Sequence, residues 1–128
     1  MGKVVLIAED QPDSRQLMED ILTSFHPYGV RVFSAQDGIE AYEIALREVP
    51  DLILLDIMMP GMDGYEICQQ VKANPETAHT YIIMVSAKTQ AADRRQAALA
   101  GADEYVTKPF DVAHVLDRVG AALNVKPV

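Results

Sequence analysis

Five short apolar runs recur along the chain, each followed by a stretch with helical spacing, and this alternation limits the possible folds more than any other feature. The first run is Val4–Ala8, which leads directly into Glu9 and Asp10. Leu17, Ile21, Leu22 and Phe25 then recur at helical intervals over 12–25, and Pro12 suits a first helical turn. A weaker, alternating run covers 30–35. Asp37 is placed to cap a helix whose inward face is Ile39, Ala41, Tyr42, Ala45, Leu46 and Val49. The third run, 52–55, is apolar throughout. Asp63, with Glu66 three residues on, resembles a capping pair that opens a helix through about Ala73. The fourth run is 81–85, followed by an Ala-rich helix over 90–100 that stops at Gly101. A short fifth run, 104–106, precedes a last helix capped by Asp111, with Val112, Val115, Leu116, Val119 and Leu123 inward.

Strands that are apolar on both faces belong to a parallel sheet covered by helices on each side. The expected class is therefore α/β, a doubly wound sandwich with right-handed crossovers. At 128 residues the chain has the size of one domain, 1–128, with a core over about 3–123 and a tail at 124–128. A hydrophobic content of 49% excludes wholesale disorder. Eleven Lys and Arg against nineteen Asp and Glu leave a net charge of −8, which argues against direct binding of nucleic acid through a basic face and permits cations. No apolar run approaches the ~18 residues of a membrane span. Val4–Ala8 is too short for the core of a signal peptide. One cysteine, Cys68, cannot form an internal disulfide, and a cytoplasmic location is expected.

Ligands of open α/β sheets bind at the carboxyl ends of the strands. There the sequence places Glu9 and Asp10 after the first run, Asp56 after the third, Ser86 after the fourth, and Lys108 with Pro109 after the fifth. Singly, each has an ordinary reading: a solvated loop acid, a turn cap, a strand-end hydroxyl, a surface lysine. Together they bring three carboxylates, a hydroxyl and an ammonium to one edge. Three carboxylates repel one another unless a cation sits among them. Oxygen ligands with room for water suit Mg²⁺. The ammonium suggests that an anion such as a phosphoryl group visits. A carboxylate can attack phosphorus to give an acyl phosphate, and the transferring group is stabilised by position and positive charge.

These residues resemble the receiver domain of two-component response regulators, of the chemotaxis-regulator type, over nearly the whole chain. The motifs that carry the resemblance are Glu9-Asp10, Asp56-Ile57-Met58-Met59-Pro60-Gly61-Met62-Asp63-Gly64, Ser86-Ala87 and Lys108-Pro109-Phe110. The resemblance implies a flavodoxin-like (βα)5 fold with strand order 2-1-3-4-5. It implies that Asp56 is the phosphoacceptor and that Lys108 contacts the phosphoryl oxygens. Mg²⁺ (or Mn²⁺) would be held by Asp56, by Asp10 directly, by Glu9 through water, and by the backbone carbonyl of Met58. Ser86 and Tyr105 would form the switch, and the Lys108–Pro109 bond would be cis. Met58 and Lys88 would flank the path of the attacking water and tune phosphoryl lifetime.

The implied donor is a sensor histidine kinase, a histidine phosphotransfer protein or a small phosphodonor. The kinase-facing residues would lie around Arg15, Met18 and Phe110. The readout would be the face of the fourth helix, fifth strand and fifth helix, acting on an unknown output protein or a severed output domain. The chain would be a monomer, or a weak dimer through that face, where Arg94, Glu104 and Arg118 would pair across a two-fold axis. His114 stands where such dimers often carry an acid. His26 and His79 are expected to face solvent. The chain would be a signalling domain that catalyses only its own phosphorylation and dephosphorylation. Two alternatives are a carboxylate-nucleophile phosphatase and a receiver used as a phosphorylation-independent scaffold. Against the first, Glu9-Asp10-Gln11-Pro12 lacks the Asp-x-Asp pattern; against the second, the five site residues are intact.

Overall fold

The computed structural model describes residues 2–126; Met1 and, from the expected tail, Pro127 and Val128 lie outside the described residues. Five strands alternate with five α-helices: β1 (Val4–Ala8), α1 (Pro12–Leu22), β2 (Arg31–Ala35), α2 (Gly38–Glu48), β3 (Leu52–Asp56), α3 (Gly64–Ala73), β4 (Tyr81–Ser86), α4 (Ala91–Ala100), β5 (Glu104–Thr107) and α5 (Val112–Leu123). All strand pairings are parallel, in the order β2-β1-β3-β4-β5. This is the flavodoxin-like α/β fold.

Strand alternation divides the core in two. Leu6, Ala8, Ile53, Leu55, Ile82 and Met84 face one way, against α2, α3 and the inner side of α4. Val5, Ile7, Leu52, Leu54, Ile83 and Val85 face the other way, against α1 and α5. Every residue of β3 is buried, as a central strand with helices on both faces requires. The local signals for helix starts act as expected. Asp37, Asp63 and Asp111 each accept a backbone N–H of the first turn, from Glu40 (2.8 Å), Glu66 (2.9 Å) and Ala113 (2.9 Å). Gly101, at φ 106°, ends α4 in the left-handed region.

Three features differ from the sequence reading. The helix expected over 12–25 ends at Leu22, and the chain tightens into a 3₁₀ segment over Thr23–Tyr28 containing Pro27, closed by Gly29 at φ 80°. Val30 is buried but lies outside β2. Leu17, Ile39, Leu46 and Val112, assigned inward by spacing, are exposed by 41%, 55%, 39% and 46%. The buried stripe of each of these helices is narrower than its apolar stripe, because each covers only one face of a sheet.

The register positions the site. Asp56 pairs with Val85 and Ser86 with Thr107, so Asp56, Ser86 and Lys108 leave the sheet on one edge. Backbone bonds from Glu9 N–H to the Ala35 carbonyl (3.1 Å) and from Lys108 N–H to the Ser86 carbonyl (2.8 Å) extend the pairing to those residues.

Candidate functional site

At this edge the structure brings together Glu9, Asp10, Asp56 and Lys108. Glu9 is fully buried, Asp56 is buried and Asp10 is half-buried. One carboxylate oxygen from each of the three acids lies within 4.8 Å of the others. The Lys108 ammonium donates to Glu9 Oε1 and, at 3.1 Å, to Asp56 Oδ2. The other Asp56 oxygen accepts the Met58 N–H at 3.1 Å, and the Gln11 N–H donates to Glu9 Oε2 at 3.2 Å. Charge repulsion inside the pocket is therefore relieved by Lys108, whose ammonium bridges the two most buried carboxylates.

Glu9 still carries the cost of its position. Burial, offset by Lys108 and reinforced by Asp56, pushes its carboxyl from the usual 4.5 up to about 7. Burial alone would lower Lys108, but its hydrogen bond to Glu9 and the charge of Asp56 leave it raised. The donor set is all oxygen and anionic, which fits a hard divalent cation such as Mg²⁺. A groove of about 480 Å³ beside these acids is lined by Asp10, Met58, Asp63, Tyr65 and Lys88.

Close backbone approaches hold the loop after Asp56. A Cβ on Gly64 would stand 2.5 Å from the Asp56 carbonyl oxygen, and one on Gly38 only 1.8 Å from that of Met62. A side chain at either position would force the backbone to shift. The Gly64 N–H donates to the Ile57 carbonyl (2.8 Å) and the Gly38 N–H to that of Pro60 (2.9 Å), so α2 and α3 both clamp the loop.

The remaining expected residues surround this centre. Ser86 is buried, and its hydroxyl oxygen accepts the Lys88 N–H at 3.2 Å. The half-buried Tyr105 donates its hydroxyl to the Lys88 carbonyl at 2.8 Å. Met58 is 61% exposed and Lys88 half-buried, both on the groove. The Lys108–Pro109 peptide bond is cis.

Sequence reasoning missed one contributor. Arg15, read as a partner-facing residue, donates from its guanidinium to the Glu9 carbonyl (3.0 Å) and the Asp10 carbonyl (3.4 Å), tying α1 to the loop that carries both acids. An arginine one turn into a helix after two acids is the available signal, but it does not distinguish a carbonyl contact from a solvated charge. The expected pairing residues are also engaged within the chain. Arg118 binds Glu104 through two hydrogen bonds (2.7 and 2.9 Å), and Arg94 stacks on Tyr105. His26 and His79 are exposed, as expected.

Residues 5–120 match the family described as the response regulator receiver domain. The response regulator PleD of Caulobacter vibrioides is 36% identical over 128 residues, which is 100% of this chain and 28% of PleD. The DNA-binding dual master transcriptional regulator RpaA of Synechocystis is 39% identical over 120 residues, 94% of this chain and 48% of RpaA. The chain thus spans less than half the length of either curated relative. The receiver domain of the Pseudomonas aeruginosa sensor histidine kinase PA1611, solved with a magnesium ion coordinated in its active-site cleft, has a TM-score of 0.85 at 31% identity and covers 97% of this chain and 99% of that one.

Proposed function

The chain belongs to the response regulator receiver family, and we propose that it accepts a phosphoryl group on Asp56 in a Mg²⁺-dependent reaction and passes that event to a partner through α4, β5 and α5. The observation that carries this reading is the single cluster of Glu9, Asp10, Asp56 and Lys108 at the carboxyl edge of the sheet. Residues 1–128 act as one receiver unit, with the core over about 3–123.

One Asp56 oxygen attacks phosphorus while the bond to the donor nitrogen or oxygen breaks, giving an acyl phosphate. The Met58 N–H and the Lys108 ammonium hold one Asp56 oxygen each, which fixes the direction of the attacking lone pair. Lys108 exchanges its carboxylate contacts for phosphoryl oxygens and neutralises part of the incoming charge. Asp10, Asp56 and the Met58 carbonyl would hold Mg²⁺, with Glu9 acting through water. When bound, that ion supplies positive charge where the phosphoryl oxygens gather. Ser86 lies one strand away and donates its hydroxyl to the new dianion, with the Tyr105 ring seated behind it on the Lys88 carbonyl. Met58 and Lys88 border the groove through which water reaches the acyl phosphate, and their side chains set its lifetime. The donor is a sensor histidine kinase, a histidine phosphotransfer protein or a small phosphodonor, and the output is a further protein or domain. The location in the cell is cytoplasmic.

Beryllofluoride, a non-hydrolysing stand-in for the phosphoryl group, tests the reading. With Mg²⁺ present it should raise the melting temperature of the wild type and leave Asp56→Asn unmoved. An equal shift in both proteins, or none in the wild type, would refute the site.

A further inference from the structure

Arg94, in the first half of α4, places its guanidinium carbon 4.9 Å from the centre of the Tyr105 ring. That lies inside the ~6 Å range of cation–π attraction. Among the described residues Arg94 joins no salt bridge. The acid on the same strand as Tyr105, Glu104, is already held by Arg118 and by the Tyr81 hydroxyl at 2.6 Å. The Arg94 charge therefore faces the aromatic ring.

Tyr105 is fixed at its other end as well. Its hydroxyl bonds the Lys88 carbonyl, while the N–H of that same residue bonds the Ser86 hydroxyl oxygen. Ser86 and Tyr105 thus meet on the two backbone groups of Lys88. Beside the ring is a cleft of about 230 Å³ lined by Arg94, Tyr105, Phe110 and His114. A ring turned away from the sheet would enter that space. The helix bearing Arg94 has only Ala97 and Ala100 buried, so it is lightly anchored.

We propose that Arg94 is a positioning residue: it holds Tyr105 turned inward onto the Lys88 carbonyl in the unphosphorylated chain, and so sets how readily the Asp56 site is switched. The inference rests on the reading of Ser86 and Tyr105 as a switch pair. With the ring already seated, an incoming anion need not draw it in. Removing the cation shifts the ring toward the cleft and lowers the fraction of chains ready for the anion.

The test uses Arg94→Gln, which keeps most of the length and removes the charge, and Arg94→Lys, which keeps the charge. The ring signal of Tyr105 is read by NMR in the free protein, assigned among the five tyrosines with Tyr105→Phe. The affinity for beryllofluoride with Mg²⁺ is measured in parallel, and melting temperatures check the fold. In Arg94→Gln the ratio of inward to outward ring should fall about two- to fivefold, the cation–π range at a partly exposed site, and affinity should fall in the same direction by no more than that factor. Arg94→Lys should restore most of both. An unchanged Tyr105 signal in Arg94→Gln would overturn the proposal, as would a changed signal with unchanged affinity. If the wild type bound no beryllofluoride, the functional reading would fail, and the ring signal of the free protein would still decide whether Arg94 positions Tyr105.

Discussion

Lys108 contacts two carboxylates at once, and much of the chemistry of the site follows from that one ammonium. It reaches Glu9 and Asp56 from the strand farthest from Glu9 on that side of the sheet. Replacing it by alanine leaves both acids without a cation. The expected cost to the metal-free protein is about 2 kcal/mol, discounted for the 16% exposure of the lysine from the penalty of orphaning a fully buried charge. Urea unfolding of Lys108→Ala would measure this, and millimolar Mg²⁺ should recover most of the loss. Glu9 gives the pH dependence. Its carboxyl is raised in the folded state, so the fold binds a proton that the unfolded chain has released. The metal-free protein should therefore lose stability as pH rises from about 4.5 to about 7, by urea midpoints, and Asp56→Asn should flatten that decline. A midpoint that rises over this interval in the metal-free wild type would contradict the assignment.

At the scale of elements, the local signals were legible and the long-range contacts were not. Asp37, Asp63 and Asp111 could be read as caps because a cap is decided within four residues. The site acids could be placed because each follows directly on a buried apolar run. The 3₁₀ turn over Thr23–Tyr28 was missed: Phe25 continues the apolar stripe of α1, and Pro27 and Gly29 act only beyond it. Arg15 on the Glu9 carbonyl, Arg94 on Tyr105 and Arg118 on Glu104 depend on which elements meet, which periodicity does not encode. Two predictions belong here. Gly64→Ala forces a Cβ against the Asp56 carbonyl oxygen, so it should cost roughly 1–3 kcal/mol and weaken Mg²⁺ binding, by calorimetry. The helix α4, with two buried alanines and Leu99 87% exposed, should exchange its amide hydrogens fastest among the five α-helices.

For the whole molecule, topology determines the site. The order β2-β1-β3-β4-β5 puts β1 beside β3, which is the reason Glu9 and Asp10 stand next to Asp56 although Asp10 and Asp56 lie 46 positions apart in sequence. Five right-sized strand–helix units suffice to build it, and the receiver family uses the same frame. A net charge of −8 with three acids in one pocket also makes the free chain poised for a cation. The most direct measurement is the intact mass after incubation with Mg²⁺ and acetyl phosphate, with Asp56→Asn and a chelator alongside. The account predicts one added phosphoryl group in the wild type with Mg²⁺ and none in either control. A phosphoryl group gained equally by Asp56→Asn, or gained in the presence of chelator, would contradict it.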